Sequence, residues 1–191
     1  MPYPSQITKE SIIDQASTLI EQDGFEALSL NKLATALGVK APSLYRHVGN
    51  KHQLLQFVNL QTLQNLFAVM HTAINNASSD PPLQMMALAQ AYRQFAHEHP
   101  QLYTLAFTHK NEGLRPDEQL LTEMALPIQS IMAQISGEQD SLAALRGALA
   151  LLHGFVMLEL NEQLQRGGDL DQAFIQSIGA YLHGWEMPSP V

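Results

Sequence analysis

The chain reads as a succession of amphipathic helices. Ile12, Ala16, Leu19 and Ile20 recur at helical spacing and mark the apolar face of a first helix. Thr8 is placed to cap it, Ile7 and Ile12 to staple its start, and Gly24 to stop it, because glycine turns left-handed without strain. Ser29 caps a second, short helix whose Leu33, Ala34 and Leu37 face inward, with Leu28 and Leu33 spaced as its staple and Gly38 as its end. A third short helix has Pro42 near its first turn, where a missing N–H costs nothing, and ends at Gly49. Asn50, with Gln53 three residues on, starts a long fourth helix carrying Leu54, Leu55, Val58, Leu66, Phe67, Met70 and Ile74. If continuous, that helix is about 35 Å long.

Beyond a small polar stretch at 75–80, Pro81 and Pro82 open a helix to about His97, and Pro100 opens a short one, "PQLYTLAFTH". A loop is expected at 111–116, then a helix from Asp117 to Ile135 that Pro127 should kink. Two last helices are expected at 139–165 and 169–185, parted by Gly167 and Gly168. Residues 1–7 read as an arm, and Pro188 and Pro190 mark a frayed tail. The expected fold is all-α, with about nine helices. It comprises an N-terminal three-helix helix-turn-helix domain (1–52) and a larger C-terminal helical bundle (53–191).

Composition changes this picture little. The 191 residues are 46% hydrophobic and 15% charged, enough to bury a real core. There is no cysteine, which excludes disulfides and thiolate metal sites and fits a reducing compartment. Polar residues follow Met1, and no run is expected to reach the length of a membrane span, so a cytoplasmic protein is expected. Charge is more informative. The net value of −8 argues against DNA, yet Leu28–His52 holds Lys32, Lys40, Arg46 and Lys51 and no acid. From Gln53 onward, 13 acids outweigh 5 bases. A cationic patch on an acidic body can dock on phosphate while the rest repels non-specific contact.

The segment "LSLNKLATALGVKAPSLYRHVGNKHQLL" carries the chemistry. It reads as two short helices joined by a tight turn. Ala34 is small where helices cross, Gly38 sits where the turn needs an unusual backbone angle, and Val39, Leu44 and Val48 can pack the second helix on the first. That second helix is left exposing Lys40, Ser43, Tyr45, Arg46 and His47, side chains suited to a DNA major groove.

The run "LATALGVKAPSLYRHVGNKHQLL" resembles the DNA-binding signature of TetR-type regulators, over about residues 8–55. The resemblance implies that Tyr45, His47 and Lys51 touch phosphates and that Ser43 reaches a phosphate or a base edge. It places Lys40, Ala41, Pro42 and Arg46 where sequence is read. Arg46 or Lys40 could pair with guanine, and Ala41 and Pro42 could meet a thymine methyl. Asn31 matches a position where some members read a base with arginine, so the operator is not legible here. The stretches "FAHEHPQLYTLAF" and "LLHGFVMLEL" resemble the C-terminal domain of a TetR subgroup named WHG, with Leu152 in place of the tryptophan and His153 and Gly154 kept. Such domains dimerise through their last two long helices and bind small molecules in the bundle core.

The residues agree in part. Ala143, Gly147, Ala150 and Gly154 form a stripe of small side chains that lets helices approach closely. With Leu151, Phe155 and Leu158 beside it, and Phe174, Ile178, Tyr181 and Leu182 on the next helix, it suits a homodimer interface. A monomer could bury the same stripe internally. Phe67, Met70, Tyr92, Phe95, Tyr103, Phe107, Met124 and Met157 could line an adaptable apolar pocket for an unidentified, largely apolar effector, or simply fill a core. No cofactor or metal is expected. His97 and His99 are two apart and face different ways on one helix, and His153 and His183 read as isolated.

No Walker loop, dinucleotide fingerprint, zinc-protease motif or nucleophile elbow is present, so an enzyme is not expected. A helical module that binds small molecules or protein through its N-terminal helices is the remaining alternative. The basic patch with Tyr45 and Lys51 argues against it.

Overall fold

The computed structural model describes residues 7–108, 112–114 and 116–186. Among them are nine α-helices and no strand. They are α1 (Lys9–Asp23), α2 (Leu30–Ala36), α3 (Ala41–Val48), α4 (Lys51–Asn76), α5 (Pro81–Glu98), α6 (Pro100–Thr108), α7 (Glu118–Ser136), α8 (Ser141–Leu160) and α9 (Leu170–Glu186). A 3₁₀ turn covers Glu112–Leu114. Most of the expected arm, His109, part of the 111–116 loop and the tail with Pro188 and Pro190 lie outside the described residues.

The helix ends follow from side-chain caps. Thr8 Oγ1 accepts from Ser11 N at 3.1 Å, and Ser11 Oγ returns a bond to the cap, closing a capping box. Ser29 Oγ accepts from Lys32 N at 3.2 Å, and Asn50 Oδ1 from Gln53 N at 2.9 Å. Each satisfies a backbone donor that the first turn leaves unpaired. Helix α8 stops at Leu160 rather than near 165. The Asn161 amide donates back to Met157 O at 2.7 Å, and Glu162 takes φ 54°, a left-handed turn that ends the helix.

Two compact units result, and their division differs from a cut at 52/53. Unit 1 takes residues 1–65 together with 99–117, and unit 2 takes 66–98 and 118–191. Helix α6 joins unit 1 because Leu102 and Leu105, with Leu114 after it, are buried in the same core as Ile12, Ile20, Leu33, Leu44 and Val58. In unit 2, which also takes the second half of α4, α5, α7, α8 and α9 pack together around Tyr92, Met132, Leu152, Val156 and Phe174.

Helix α8 corrects the expectation about membrane-length runs. At 20 residues and mean hydropathy 1.6, it is long and apolar enough to cross a membrane by length and composition. Core helices of bundles share that composition. Here Ala144, Ala148, Leu152 and Val156 are buried within unit 2, and Glu159 is held by Arg93.

Candidate nucleic-acid interface

In unit 1 the helix-turn-helix is built from the inside out. Leu33 and Ala34 of α2 and Leu44 and Val48 of α3 are buried, and Val39 packs against the same core. Val39 N donates to Ala34 O at 2.9 Å across the turn, and Gly38 sits at φ 67°, a left-handed angle that only glycine adopts freely. At about 100° per residue, burying Leu44 and Val48 of α3 turns Pro42, Ser43 and Arg46 to the opposite side. Tyr45 and His47 fall on the two flanks. The exposures agree: Pro42, Arg46 and His47 are exposed, Ser43 is half-buried, and Tyr45 is 52% exposed although aromatic. Lys40 and Asn31 are also exposed, and Ala41 is half-buried.

The basic patch is thinner than the sequence suggests. Lys32 is paired with Asp23 at 2.8 Å, an acid just outside the stretch that was free of acids. Lys51 Nζ donates to Glu26 O at 2.9 Å, so it braces the loop between α1 and α2. Lys40 and Arg46 have no ion pair among the described residues.

Residues 12–58 match "Bacterial regulatory proteins, tetR family", and residues 85–181 match "Tetracyclin repressor-like, C-terminal domain". An uncharacterised HTH-type transcriptional regulator of Mycobacterium tuberculosis is 34% identical over 187 residues, covering 96% of this chain and 84% of its own. The chain belongs to the TetR family. It is a transcriptional regulator with a helix-turn-helix DNA-binding domain. A tetracycline repressor protein, class D, of Escherichia coli is similar at 25% identity, covering 96% of this chain and 91% of its own. A solved structure of a Rhodococcus protein of unknown function superimposes with TM-score 0.80 at 24% identity, covering 98% of this chain and 100% of that one. The C-terminal match spans helices on which the WHG resemblance rested, but its description does not specify that subgroup.

In this TetR-family chain the residues expected around a pocket fall in both units. Tyr103 and Phe107 pack on each other, ring centroids 4.7 Å apart, within unit 1. Phe67, Met70, Tyr92, Phe95, Met124 and Met157 belong to unit 2. Of these, Met157 is on the side of α8 turned away from the buried Ala144–Val156 stripe, which separates it from a pocket in that core.

Several residues of the expected dimer stripe are covered within the chain itself. Phe174 and Ile178 are buried in unit 2 itself, and Phe155 meets Phe174 edge-on at 5.2 Å. Gly147 is covered by Tyr181, whose hydroxyl donates to Ala144 O at 2.6 Å. Leu151 is half-buried. Outward, α8 presents exposed Leu142 and Leu149 on one side and, half a turn round, exposed Leu158 with Gly154 open beside it.

Sequence reasoning also missed an ionic cluster in unit 2. Arg93 of α5 donates to Glu159 of α8 at 2.8 and 2.6 Å and pairs with Asp171 of α9 at 2.8 Å. His97 reaches Glu159 at 3.2 Å. The Glu159 side chain is only 4% exposed. Burial pushes its carboxyl pKa up, but the bonds from Arg93 and His97 outweigh that and hold it below the ordinary value. Both carboxylates push the Arg93 guanidinium pKa up. A cleft of about 320 Å³ opens beside this cluster, lined by Gln90, Arg93, Gln94, His97 and Asp171. None of the eight residues expected around a pocket lines it. His183 is not isolated either: Glu186, three residues on, lies 3.2 Å from its ring, a pairing the spacing could have revealed. Among the described residues, no three acids and histidines cluster to hold a metal ion.

Proposed function

We propose that this regulator is a ligand-responsive repressor that binds a palindromic operator as a homodimer. The observation that carries the reading is the division of α3 into a buried face and an outer one, with Arg46 at the centre of the latter. Pro42, Ser43 and Arg46 face the base edges, with Arg46 matched to guanine and Pro42 to a thymine methyl. Tyr45 and His47, on the flanks, meet phosphates on the two sides of the groove. Lys40 and Ala41 stand at the entry of the helix and Asn31 at the start of α2, where an amide favours adenine. Lys51 and the N-terminus of α4 approach the backbone.

The dimer is carried by the side of α8 that holds Leu151, Gly154 and Leu158, three and four residues apart, together with Ile175 of α9, which is 42% exposed. Two copies would set two α3 helices about 34–36 Å apart, one turn of DNA. A small, largely apolar molecule held in unit 2 by side chains such as Phe67, Met70, Tyr92, Phe95 and Met124 shifts α4, which runs on into unit 1, and releases the operator. It needs only to bind the released state better by a few kcal/mol. The similarity to a protein named as a tetracycline repressor supports repression over activation.

Selection of bound sequences from a random duplex pool, near physiological salt, tests the reading. An enriched palindrome supports it. Weak, salt-sensitive binding without enrichment sinks it and favours a protein-binding module.

A further inference from the structure

Helix α4 carries two amide side chains one turn apart, Gln56 and Asn59, both in unit 1. The Gln56 amide donates to Gly113 O. Asn59 Nδ2 donates to Leu114 O at 2.6 Å. Asn59 and Leu114 are each 2% exposed, and the Leu114 side chain is part of the unit 1 core. The other atom of the Asn59 amide, Oδ1, is buried with no hydrogen-bond partner. A buried amide satisfied at only one end is a poor way to fill a core, because the orphaned acceptor has lost its water and gained nothing. Leucine would remove the orphaned acceptor but strand Leu114 O, so neither residue is a clean apolar filler. What the asparagine supplies and an apolar side chain cannot is direction, a bond that fixes the turn against α4.

We propose that Gln56 and Asn59 are positioning residues for DNA reading, clipping the 112–114 turn to α4, an inference that rests on the DNA-reading function above. Leu54 and Val58 of α4 share a core with Leu44 and Val48 of α3. At its start, α4 holds Glu26 O through Lys51. The seating of α4 in that core sets where α3 stands. With the clip open, unit 1 samples other seatings, and apparent DNA affinity falls with the fraction that remains competent.

The test uses Asn59→Leu and Gln56→Met in the full chain, bound to the duplex that the wild type selects, alongside thermal unfolding. Gln56 is half-buried, so its variant folds even if the first does not. Asn59→Leu removes one unpaired acceptor but strands another, Leu114 O, so it is expected to melt near or somewhat below the wild-type temperature and, measured where it is folded, to bind about fivefold more weakly or worse. The salt dependence should stay the same, because no phosphate contact is lost. Gln56→Met moves affinity the same way by less. A purely structural clip would shift melting and leave the folded protein's affinity alone. Affinities within about twofold of wild type for both variants overturn the proposal. If the wild type selects no duplex, the DNA-reading function fails and this inference falls with it.

Discussion

Glu21, near the end of α1, accepts the backbone N–H groups of Gln101 and Leu102 in the first turn of α6, at 3.2 and 2.9 Å. A carboxylate from one helix thus caps another that follows it by some 80 residues of chain. It meets two donors that α6 cannot satisfy internally, at the end where the helix dipole favours negative charge. Glu21→Ala is expected to cost about 1 kcal/mol, and Glu21→Gln less, since the amide oxygen still accepts. Thermal unfolding checks both. Equal stability of Glu21→Ala and wild type would mean that water replaces the cap.

Arg46→Ala should weaken binding to the selected duplex by about 1–3 kcal/mol and loosen preference at one position per half-site. Tyr45→Phe should instead weaken binding evenly across sequences. Lys40→Met, if Lys40 neutralises a phosphate, lowers the slope of affinity against salt by about one. A sequence-independent effect from Arg46→Ala would move it from base reading to backbone contact.

Leu158→Glu places a charge on the side of α8 that Leu158 shares with Leu151 and Gly154. Light scattering should find a monomer, with binding to the full palindrome lost before binding to a half-site. A variant that stays dimeric would send the interface elsewhere.

Gly147→Ala puts a Cβ into the Tyr181 hydroxyl and drives it from Ala144 O. Overpacking of this kind costs about 1–3 kcal/mol. In the double variant with Tyr181→Phe, which removes the obstructing oxygen, the cost of the alanine should shrink. Additive losses would show that the two residues do not meet.

The Arg93–Glu159–Asp171 cluster makes a prediction in pH. The folded Glu159 pKa lies below its ordinary value of 4.5. Its stabilisation is therefore complete above that value and fades as pH falls through the lowered one. Glu159→Gln should cost about 2 kcal/mol at neutral pH. In acid, where the wild type loses the same charge, the two unfolding curves should converge. A gap independent of pH would assign the loss to packing.

The residues show how much of this was legible. Thr8, Ser29, Asn50, Gly24 and Gly38 announced the helix ends because caps and left-handed turns are local requirements with few solutions. The exposed side of α3 was legible for the same reason: burying Leu44 and Val48 fixes the rest of so short a helix. Long-range partners were not. Nothing near Glu21 points to Gln101, and nothing near Arg93 points to Glu159 or Asp171. A stripe such as Phe174 and Ile178 looks the same in sequence whether it faces its own core or a second chain. Asn59 was the missed clue, a polar residue on the buried side of α4 between Val58 and Leu63.

The placement of α6 also bears on how such a protein is assembled and exchanged. The first unit is not one contiguous stretch of sequence: the chain leaves it after residue 65 and returns for residues 99–117. During synthesis, therefore, the unit cannot close until Leu105 and Leu114 have emerged, well after its operator-reading helices. A recombination event that joined residues 1–65 to a foreign effector domain would deliver α3 without the helix and turn that complete its core. Exchange of DNA specificity between relatives then needs either two crossovers or a donor whose own α6 and following turn already fit against Glu21 and Asn59.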